Sequence, residues 1–458
     1  MKRLIYIAVL MMIGMVGCTE QGYEKEQAYQ PENYRRAVQQ LTDIIVFDIF
    51  SPPQASRNYT YPSIAAYEVM AQDSNQYLSL EGQVSDLKNV PQIDPSLSYC
   101  LPLAALQAYI STGRHFIFSE AKMNDFEAKI YAEYKAIGIP QDIFARSTAF
   151  GKEMAAHIIA WSDGDNYKET RTAPRYEVVS DQAGRWAPTP PDYMDGIEPH
   201  WSSIRPFVID SATQFAPVPP PSFSMDKSSK FYKDLMEVYD VGKEIEQKAD
   251  KDSSAAEKLA IAQFWDCNPY ATQHYGHVMF ATKKITPGGH WQGITAIATR
   301  QAESDFAETV HAYMRVSIAL ADGFISCWDE KYRSNLIRPE TVINQHIDED
   351  WRPVLQTPPF PEYTSGHSVI SAAAAEALTA IYGDGFAFND TSELLYGLPA
   401  RSYPSFRAAS EEAAISRLYG GIHYMPAIAE GVTQGRKVGS YIIEHLKTEE
   451  EVEAISKK

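Results

Sequence analysis

Three short segments in the last third of the chain carry most of its information about fold and chemistry. They read KYRSNLIRP at residues 331–339, TSGH at residues 364–367 and SRLYGGIH at residues 416–423. Each segment alone is common, and the lysine and arginine side chains of such segments usually form surface salt bridges. In this order within one region, however, a lysine, two arginines and two histidines indicate a shared site.

Around these segments, apolar residues recur at helical spacing. Val38, Leu41, Ile44 and Ile45 lie three or four residues apart and predict an amphipathic helix within residues 32–50. Further helices are predicted at about residues 60–72, 98–112, 120–137, 143–162, 228–248, 254–265, 294–330, 366–382, 407–422 and 425–446. Alternating strand patterns are scarce, so the predicted fold class is all-α, with two helical bundles in one large unit.

A proline-rich crossing over residues 166–222 is predicted to join the two bundles. Its prolines are Pro188, Pro190, Pro191, Pro199, Pro206, Pro217, Pro219, Pro220 and Pro221. The aromatic side chains expected to anchor this extended connection are Trp186, Tyr193, Trp201 and Phe207. The predicted organisation is an N-terminal helical region over residues 32–222, which includes the crossing, and a C-terminal helical region over residues 223–458, which carries the three segments.

The N-terminus has the features of a secretory signal. A basic start precedes an apolar run over residues 4–16, which is too short to span a bilayer comfortably. The ending MVGC resembles a bacterial lipobox with Cys18 as the lipidated residue, and the alternative is an ordinary cleavable signal with an unrelated cysteine. We expect a signal peptide over residues 1–17 and a polar tether over residues 18–31. The protein should then be exported and lipid-anchored to a bacterial membrane, in the periplasm or at the cell surface.

The composition excludes some partners. The 458 residues include 41 Lys and Arg and 59 Asp and Glu, so the formal charge is 41 − 59 = −18. Because nucleic-acid-binding domains are usually basic, the charge argues against such a partner. The hydrophobic content of 45% is that of a globular protein. Three cysteines remain besides Cys18, namely Cys100, Cys267 and Cys327. They lie far apart in the sequence, and three thiols cannot all pair, so at least one should be free.

The three segments resemble the signature of one superfamily. The signature is K-x6-RP, P-S-G-H and S-R-x5-H-x3-D, and it is shared by type 2 phosphatidic acid phosphatases and vanadium-dependent haloperoxidases. Four further stretches are similar to the soluble vanadium-haloperoxidase branch, namely residues 47–67, 264–265, 327–332 and 358–361. Membrane-bound lipid phosphatases of the superfamily have several transmembrane helices, and this sequence has no suitable apolar run after its N-terminus.

The resemblance implies a role for each matching residue. Phosphate or vanadate would be bound by Lys331, Arg338, Ser365, Gly366 and Arg417. His423 would attack phosphorus or coordinate vanadium, and His367 would act as the general acid and base. The residue types suit these roles, because arginine presents a planar fork of donors and a glycine at a helix N-terminus lets backbone N–H groups approach an anion.

The sequence departs from the signature at two positions. Thr364 replaces the proline of the second segment, and we expect its hydroxyl to cap the following helix. Ala427 replaces the aspartate expected four residues after His423, where a carboxylate would orient the histidine. Glu430, one helical turn further on, is the candidate substitute. Next to Phe264 and Trp265, Asp266 is the expected carboxylate partner of a site arginine. Asn268 would be a neutral replacement for it.

Three functions are compatible with these residues. The leading interpretation is an enzyme that holds vanadate as its cofactor and oxidises halide with peroxide. The second is an acid phosphatase without a cofactor, which would hydrolyse phosphate monoesters through His423 as the nucleophile. The third is a catalytically silent surface lipoprotein that keeps the fold, and Ala427 motivates it. The expected partners are a small phosphate ester, or halide and peroxide, and a membrane through the lipid anchor only. A homo-oligomer is also compatible with the sequence.

Overall fold

The computed structural model describes residues 23–73, 77–179, 181–275, 278–281 and 283–449, and it confirms the predicted all-α class. Its first seven helices are α1 (Lys25–Ala28), α2 (Pro31–Asp48), α3 (Pro52–Met70), α4 (Leu101–His115), α5 (Glu120–Ala136), α6 (Gln141–Ser162) and α7 (Tyr167–Thr172). After the crossing follow α8 (Lys230–Lys248), α9 (Ser253–Phe264), α10 (Pro287–Gln301), α11 (Phe306–Ser334), α12 (Pro339–His346), α13 (Gly366–Tyr382), α14 (Phe406–Tyr419) and α15 (Met425–His445).

Two short antiparallel hairpins complete the regular structure of the described residues. Strands β1 (Thr272–Tyr275) and β2 (Val278–Ala281) form one pair, and β3 (Phe388–Asp390) and β4 (Arg401–Tyr403) form the other. Single 3-10 turns occur at Ala71–Asp73, Trp201–Ser203 and Leu394–Tyr396. The helices supply most of the core, and Phe388 and Tyr403 of the second hairpin pack into it.

The region predicted as one helix over residues 294–330 contains two helices, α10 and α11. Asp305 caps α11 by accepting a hydrogen bond from the Glu308 N–H, and the Glu308 carboxylate accepts the Asp305 N–H in return. This reciprocal capping box starts a new helix in the middle of an apolar pattern. Glu303, just before it, has a positive φ of 53°, which breaks the helical path.

Helix α11 joins the two predicted bundles into one body. It packs against α3 on one side and against α13 on the other, and one continuous hydrophobic core runs through all three helices. A smaller core beside it lies between α8, α12, α14 and the start of α15. Since α11 belongs to both halves, its C-terminal end is held from two directions.

The described part of the proline-rich crossing is held by buried groups. Trp186, Trp201 and Phe207 are buried, whereas Tyr193 is 62% exposed, so its expected role as an anchor was wrong. Tyr193 follows a turn and has a positive φ of 48°. The fully buried carboxylate of Asp322 on α11 accepts the N–H groups of three consecutive residues, 207–209, and ties the crossing to the central helix.

Helices α13 and α15 touch through their backbones. Gly431, Gly435 and Gly439 lie one turn apart on the face of α15 that meets α13. A Cβ atom at Gly435 would lie 2.0 Å from the carbonyl oxygen of Val369, so no larger residue fits without moving the helices apart. The stripe therefore sets the position of α13, whose N-terminus carries the TSGH segment.

The remaining expectations concern the cysteines and the N-terminus. Cys100, Cys267 and Cys327 are all buried and free, which confirms that no disulfide framework is needed. Within the part of the chain that is described, no helix is long and apolar enough to cross a membrane. The predicted signal peptide and Cys18 lie outside the described residues. The end of the expected tether is docked rather than free, because α1 forms there and Ala28 is fully buried.

Candidate active site

The first signature segment spans the end of α11 and the start of α12. Lys331 lies in the last turn of α11, which ends at Asn335 in a left-handed conformation (φ 49°). The chain reverses there, and Arg338 becomes the residue that precedes α12, with Pro339 fixing the first helical position. Both cationic side chains are fully buried.

The second segment forms the N-terminus of α13. Ser365 is the N-cap, since its Oγ accepts the Ser368 N–H at 3.3 Å and the Ser368 hydroxyl at 2.8 Å. The expectation that Thr364 caps this helix was wrong, because its hydroxyl donates to Gln434 Oε1 on α15 at 2.7 Å. The positive end of the α13 dipole therefore lies at Gly366, which lines a cavity.

The third segment brings Arg417 and His423 to the same place. Arg417 lies in the last turn of α14, and the chain then turns back through Gly421, whose φ is +76°. A left-handed residue is required there, and glycine adopts it without strain. The reversal returns His423 to the cavity just before α15 begins.

All seven oxyanion and catalytic residues predicted from the sequence lie together. The cavity has a volume of about 30 Å³, and Gly366, His367, Arg417 and His423 line it. Ser365 lies next to Gly366, and Arg338 Nη1 is 3.2 Å from His423 Nε2. The Lys331 Nζ donates to the carbonyls of Pro361, Glu362 and Thr364. Because these carbonyls occupy its donors, Lys331 contributes charge to the cavity rather than a direct hydrogen bond.

Each of the two arginines donates hydrogen bonds to backbone carbonyls and keeps one donor nitrogen without a partner. Arg338 donates from Nε to the Phe360 carbonyl at 2.9 Å and from Nη1 to the Ile422 carbonyl at 2.8 Å. Arg417 donates from Nη1 to the Trp265 carbonyl at 2.8 Å. Among the described residues, Arg338 Nη2, Arg417 Nε and His367 Nε2 are buried without a hydrogen-bond partner.

Buried donors without partners are rare and costly, and several at one cavity indicate a missing acceptor. A Cβ atom at Gly366 would fit there in ordinary van der Waals contact with Trp328 at 3.6 Å and Lys331 at 4.0 Å, so the glycine leaves room for one more group at the helix N-terminus. A tetrahedral oxyanion provides acceptors in several directions and would satisfy these donors together. The residues present therefore fit a phosphate or vanadate group.

Glu362 supplies the carboxylate that the sequence had suggested was missing. Its Oε1 lies 2.8 Å from His423 Nδ1 and also accepts the Tyr424 N–H at 3.0 Å, and the side chain is fully buried. With Nδ1 donating to Glu362, the Nε2 lone pair of His423 accepts from Arg338 and is directed toward the cavity. Ala427 thus has a substitute on a different segment.

Glu430, the expected substitute, is not the partner of His423. It lies in α15 and lines a different cavity together with Lys230 and Tyr363. Glu362, which lies shortly before α13, is the carboxylate that contacts the histidine.

Burial dominates the electrostatics of the site. It lowers the pKa of Lys331 to about 8 and that of Arg338 to about 10, and it also lowers the pKa of Arg417. Burial raises the pKa of Glu362 to about 7, against the lowering effect of Arg338. The pKa of His423 is held well below its usual value by burial and by Arg338, so its ring is neutral. These cations are poorly solvated, and a bound anion would stabilise their charged forms.

Asp266 does not hold a site arginine by a hydrogen bond. Its carboxylate pairs with Lys284, and it acts on Arg417 only through its charge, which raises the arginine pKa against the larger effect of burial. The Trp265 carbonyl performs the expected anchoring of Arg417 instead. The neighbouring Asn268 lines the cavity and accepts the Tyr270 N–H at 3.0 Å.

Sequence reasoning missed two contributors, Glu362 and the Trp265 carbonyl. A backbone carbonyl has no side-chain signature, so the second could not be found in this way. Glu362 lies between the turn-rich residues 358–361 and the TSGH segment. An acidic residue placed so close to a predicted anion site was the available signal, because a carboxylate there needs a specific reason.

The fold is all-α, and its site lies at a helix N-terminus. There a carboxylate orients a neutral histidine, and two arginines each keep one N–H group without a partner. These features define a class of enzymes that bind tetrahedral oxyanions.

Comparison with known proteins identifies the family within this class. Residues 311–450 match the family model described as the VCPO second helical-bundle domain. The chain is similar to a bacterial vanadium-dependent iodoperoxidase of known crystal structure, with 52% sequence identity and a TM-score of 0.87. The match covers 92% of this chain and 97% of that one. The chain belongs to the vanadium-dependent haloperoxidase family.

Two more distant structures share the fold. They are the holo and apo forms of a bacterial vanadium-dependent chloroperoxidase, 16% and 17% identical and each with a TM-score of 0.63. The matches cover 88% and 86% of this chain and 92% and 94% of those chains. No curated protein sequence matches the chain significantly.

The lowered pKa of Lys331 predicts how oxyanion affinity depends on pH. Lys331 loses its proton near pH 8 in the empty site, and a bound anion raises that pKa, so binding above about pH 8 takes up a proton. Affinity for tungstate, a dianion that does not titrate in this range, should fall by up to about tenfold per pH unit between about pH 8 and 9.5. Calorimetry in buffers of different ionisation enthalpy measures both the affinity and the proton uptake.

The matched control is Lys331→Gln, which removes the titrating group. This variant should bind tungstate more weakly at pH 7 and with little further change up to pH 9.5. Glu362 titrates near pH 7, which is below the range of pH 8 to 9.5, so it does not affect the slope measured there. Parent affinity that stays constant from pH 8 to 9.5 would contradict the role given to Lys331.

Proposed function

We propose that the chain binds vanadate in this cavity and oxidises halide, with iodide as the first substrate and hydrogen peroxide as the oxidant. The observation that carries the proposal is a set of buried polar groups without partners beside His423: the donors Arg338 Nη2 and Arg417 Nε, and the ring nitrogen His367 Nε2. The support for vanadate and iodide is the 52% identical bacterial iodoperoxidase, whose match covers nearly all of both chains.

The residues divide the work of holding the anion. Arg338 and Arg417 would each donate the N–H group that has no protein partner, and Gly366 would present its backbone N–H at the α13 N-terminus. Ser365 can donate its hydroxyl proton, because its oxygen accepts from Ser368. His423 would offer Nε2 to the metal while Glu362 holds Nδ1. Bound vanadate would supply the Lewis acidity that activates peroxide.

His367 is placed to move a proton. Its Nε2 is buried at the cavity without a partner, and burial together with the charge of Arg417 keeps its pKa well below the usual value. The ring is therefore neutral in the empty site and can accept a proton at Nε2 from peroxide. A bound anion raises the pKa of His367 by its negative charge, which makes the ring a better base for that proton. Overall, iodide, peroxide and one proton give hypoiodous acid and water.

An acid phosphatase is the second candidate, and one observation favours it. Glu362 orients His423, as a carboxylate must when a histidine is to act as a nucleophile, so phosphoryl transfer is chemically possible. The same contact weakens the argument for a silent lipoprotein. That argument rested on Ala427, and Glu362 provides the carboxylate that Ala427 cannot.

The two activities are separated by one assay on purified protein freed of phosphate and treated with EDTA. We expect triiodide formation from iodide and peroxide only after vanadate is added, and little release of phosphate from an aryl phosphate. His423→Ala should lower the iodide oxidation rate by more than about 100-fold, since losing an outer partner of a metal ligand alone costs roughly 10–100-fold. The exposed His445, at the end of α15, provides the control His445→Ala, which should keep the parent rate.

Phosphate release without any vanadate-dependent iodide oxidation would establish the phosphatase instead. Absence of both activities in a protein that still binds vanadate would favour the silent binding protein.

We also propose that the protein is exported and lipid-anchored through Cys18. The support is the basic start, the short apolar run and the MVGC ending of residues 15–18. In a bacterial host supplied with radiolabelled palmitate, the parent should carry the label and appear in the membrane fraction. Cys18→Ala should lose both properties, whereas Cys100→Ala should keep them. A soluble, unlabelled parent would contradict lipidation and leave an ordinary secretory signal.

A further inference from the structure

A second cluster of metal-binding side chains adjoins the oxyanion cavity, whose lining includes Cys267. Cys267 follows α9, His290 lies in the first turn of α10, and Glu393 comes shortly after β3. All three side chains are buried, and their Sγ, Nδ1 and carboxylate oxygen atoms lie within 4.8 Å of one another. None of them has a role in the proposed halide oxidation.

The distances match those between ligands of one tetrahedral metal. Cys267 Sγ is 3.6 Å from His290 Nδ1, and Glu393 Oε1 is 3.1 Å from the same nitrogen. For zinc bonded to sulfur at about 2.3 Å and to nitrogen or oxygen at about 2.0 Å, a tetrahedral angle places these pairs about 3.5 Å and 3.3 Å apart. Two of the three pairs are therefore at the spacing of ligands on one metal, and the third pair lies within 4.8 Å.

One oxygen of the cluster has no hydrogen-bond donor. Glu393 Oε1 is buried and accepts no hydrogen bond from any described residue, although it lies close to Nδ1. A nearby N–H that is not aligned with the oxygen leaves a desolvated carboxylate atom uncompensated. A metal ion between the three atoms would satisfy it.

Asp390 supplies the outer support that metal-bound histidines have. Its Oδ2 lies 2.8 Å from His290 Nε2, and its Oδ1 is fixed by the N–H and hydroxyl of Ser392 at 2.9 and 2.7 Å. Once Nδ1 has lost its proton and Nε2 donates to Asp390, the lone pair of Nδ1 faces Cys267 and Glu393. This carboxylate–histidine arrangement sets the tautomer and ring orientation of zinc ligands in general.

From this arrangement we propose that Cys267, His290 and Glu393 bind a divalent transition metal of the zinc class. A thiolate, an imidazole and a carboxylate together favour zinc over magnesium or calcium, which prefer oxygen ligands alone. The fourth ligand is a water molecule, which can enter from a cavity of about 490 Å³ lined by Glu393. The ring of Trp265 stacks on His290 with the ring centroids 4.4 Å apart. The backbone carbonyl of the same tryptophan accepts a hydrogen bond from Arg417, so Trp265 lies between the metal site and the oxyanion site.

A proton competes with the metal at Nδ1. Burial lowers the pKa of His290, but the charge of Asp390 and the hydrogen bonds around the ring raise it well above its usual value when no cation is present. Metal binding must therefore displace that proton, and it must also deprotonate Cys267. An imidazolium ion paired with both carboxylates is the metal-free alternative.

The test uses the untagged mature protein without vanadate. After dialysis against zinc, elemental analysis should find about one zinc per chain, and cobalt added to metal-free protein should give a thiolate-to-cobalt absorption band in the near ultraviolet. Cys267→Ser should abolish the band, and Glu393→Gln should weaken cobalt binding by more than about tenfold. Cys100→Ser changes another buried free thiol far from the cluster and should keep both the band and the zinc.

Folded parent protein, verified by circular dichroism, that retains no zinc and gives no cobalt band overturns the proposal in favour of the imidazolium pair. A band that survives Cys267→Ser overturns it as well. If Cys267→Ser fails to fold, Glu393→Gln and the parent measurements still decide the matter. Because neither readout uses halide oxidation, failure here is distinct from failure of the proposed function.

Discussion

The hydrogen bond from His423 to the buried carboxylate of Glu362 is the contact on which the site depends. It fixes the proton of the imidazole on Nδ1 and so leaves the Nε2 lone pair at the cavity, where it accepts from Arg338. Removing Glu362 would leave a buried N–H unpaired and let the ring rotate or change tautomer. The backbone keeps the pair together, because Tyr424, next to His423, donates its own N–H to the same carboxylate oxygen.

The rest of the fold brings the two ends of this contact together. Helix α11 is held by both halves of the core and delivers Lys331, while the glycine stripe of α15 lets α13 approach closely enough to place Gly366 at the cavity. The result is a small, poorly hydrated cluster of cations inside a chain of net charge −18. Net charge governs solubility and non-specific partners, and the local donors govern which anion binds.

Helices, the shared site and its seven matching residues could be predicted, because periodicity and motif spacing are written directly in the sequence. What could not be predicted depends on tertiary geometry. Glu362 partners His423 across two segments that meet only in the folded chain, whereas Glu430 lay at a plausible sequence spacing but on the wrong side of α15. Thr364 likewise proved to bind Gln434 instead of capping its own helix. Local propensity identifies a good capping residue, but it does not reveal a competing partner on another helix.

The most direct test of this account is the vanadate affinity of Glu362 and Glu430 variants, measured by reconstituting metal-free protein whose fold is verified by circular dichroism. Glu362→Ala should weaken vanadate binding by roughly 10–100-fold, because the histidine ligand loses its outer partner. Glu362→Gln keeps an acceptor for Nδ1 and should lose less, and Glu430→Ala should bind like the parent. Parent-like affinity in Glu362→Ala, or an equal loss in Glu430→Ala, would contradict the claim that Glu362 orients the histidine.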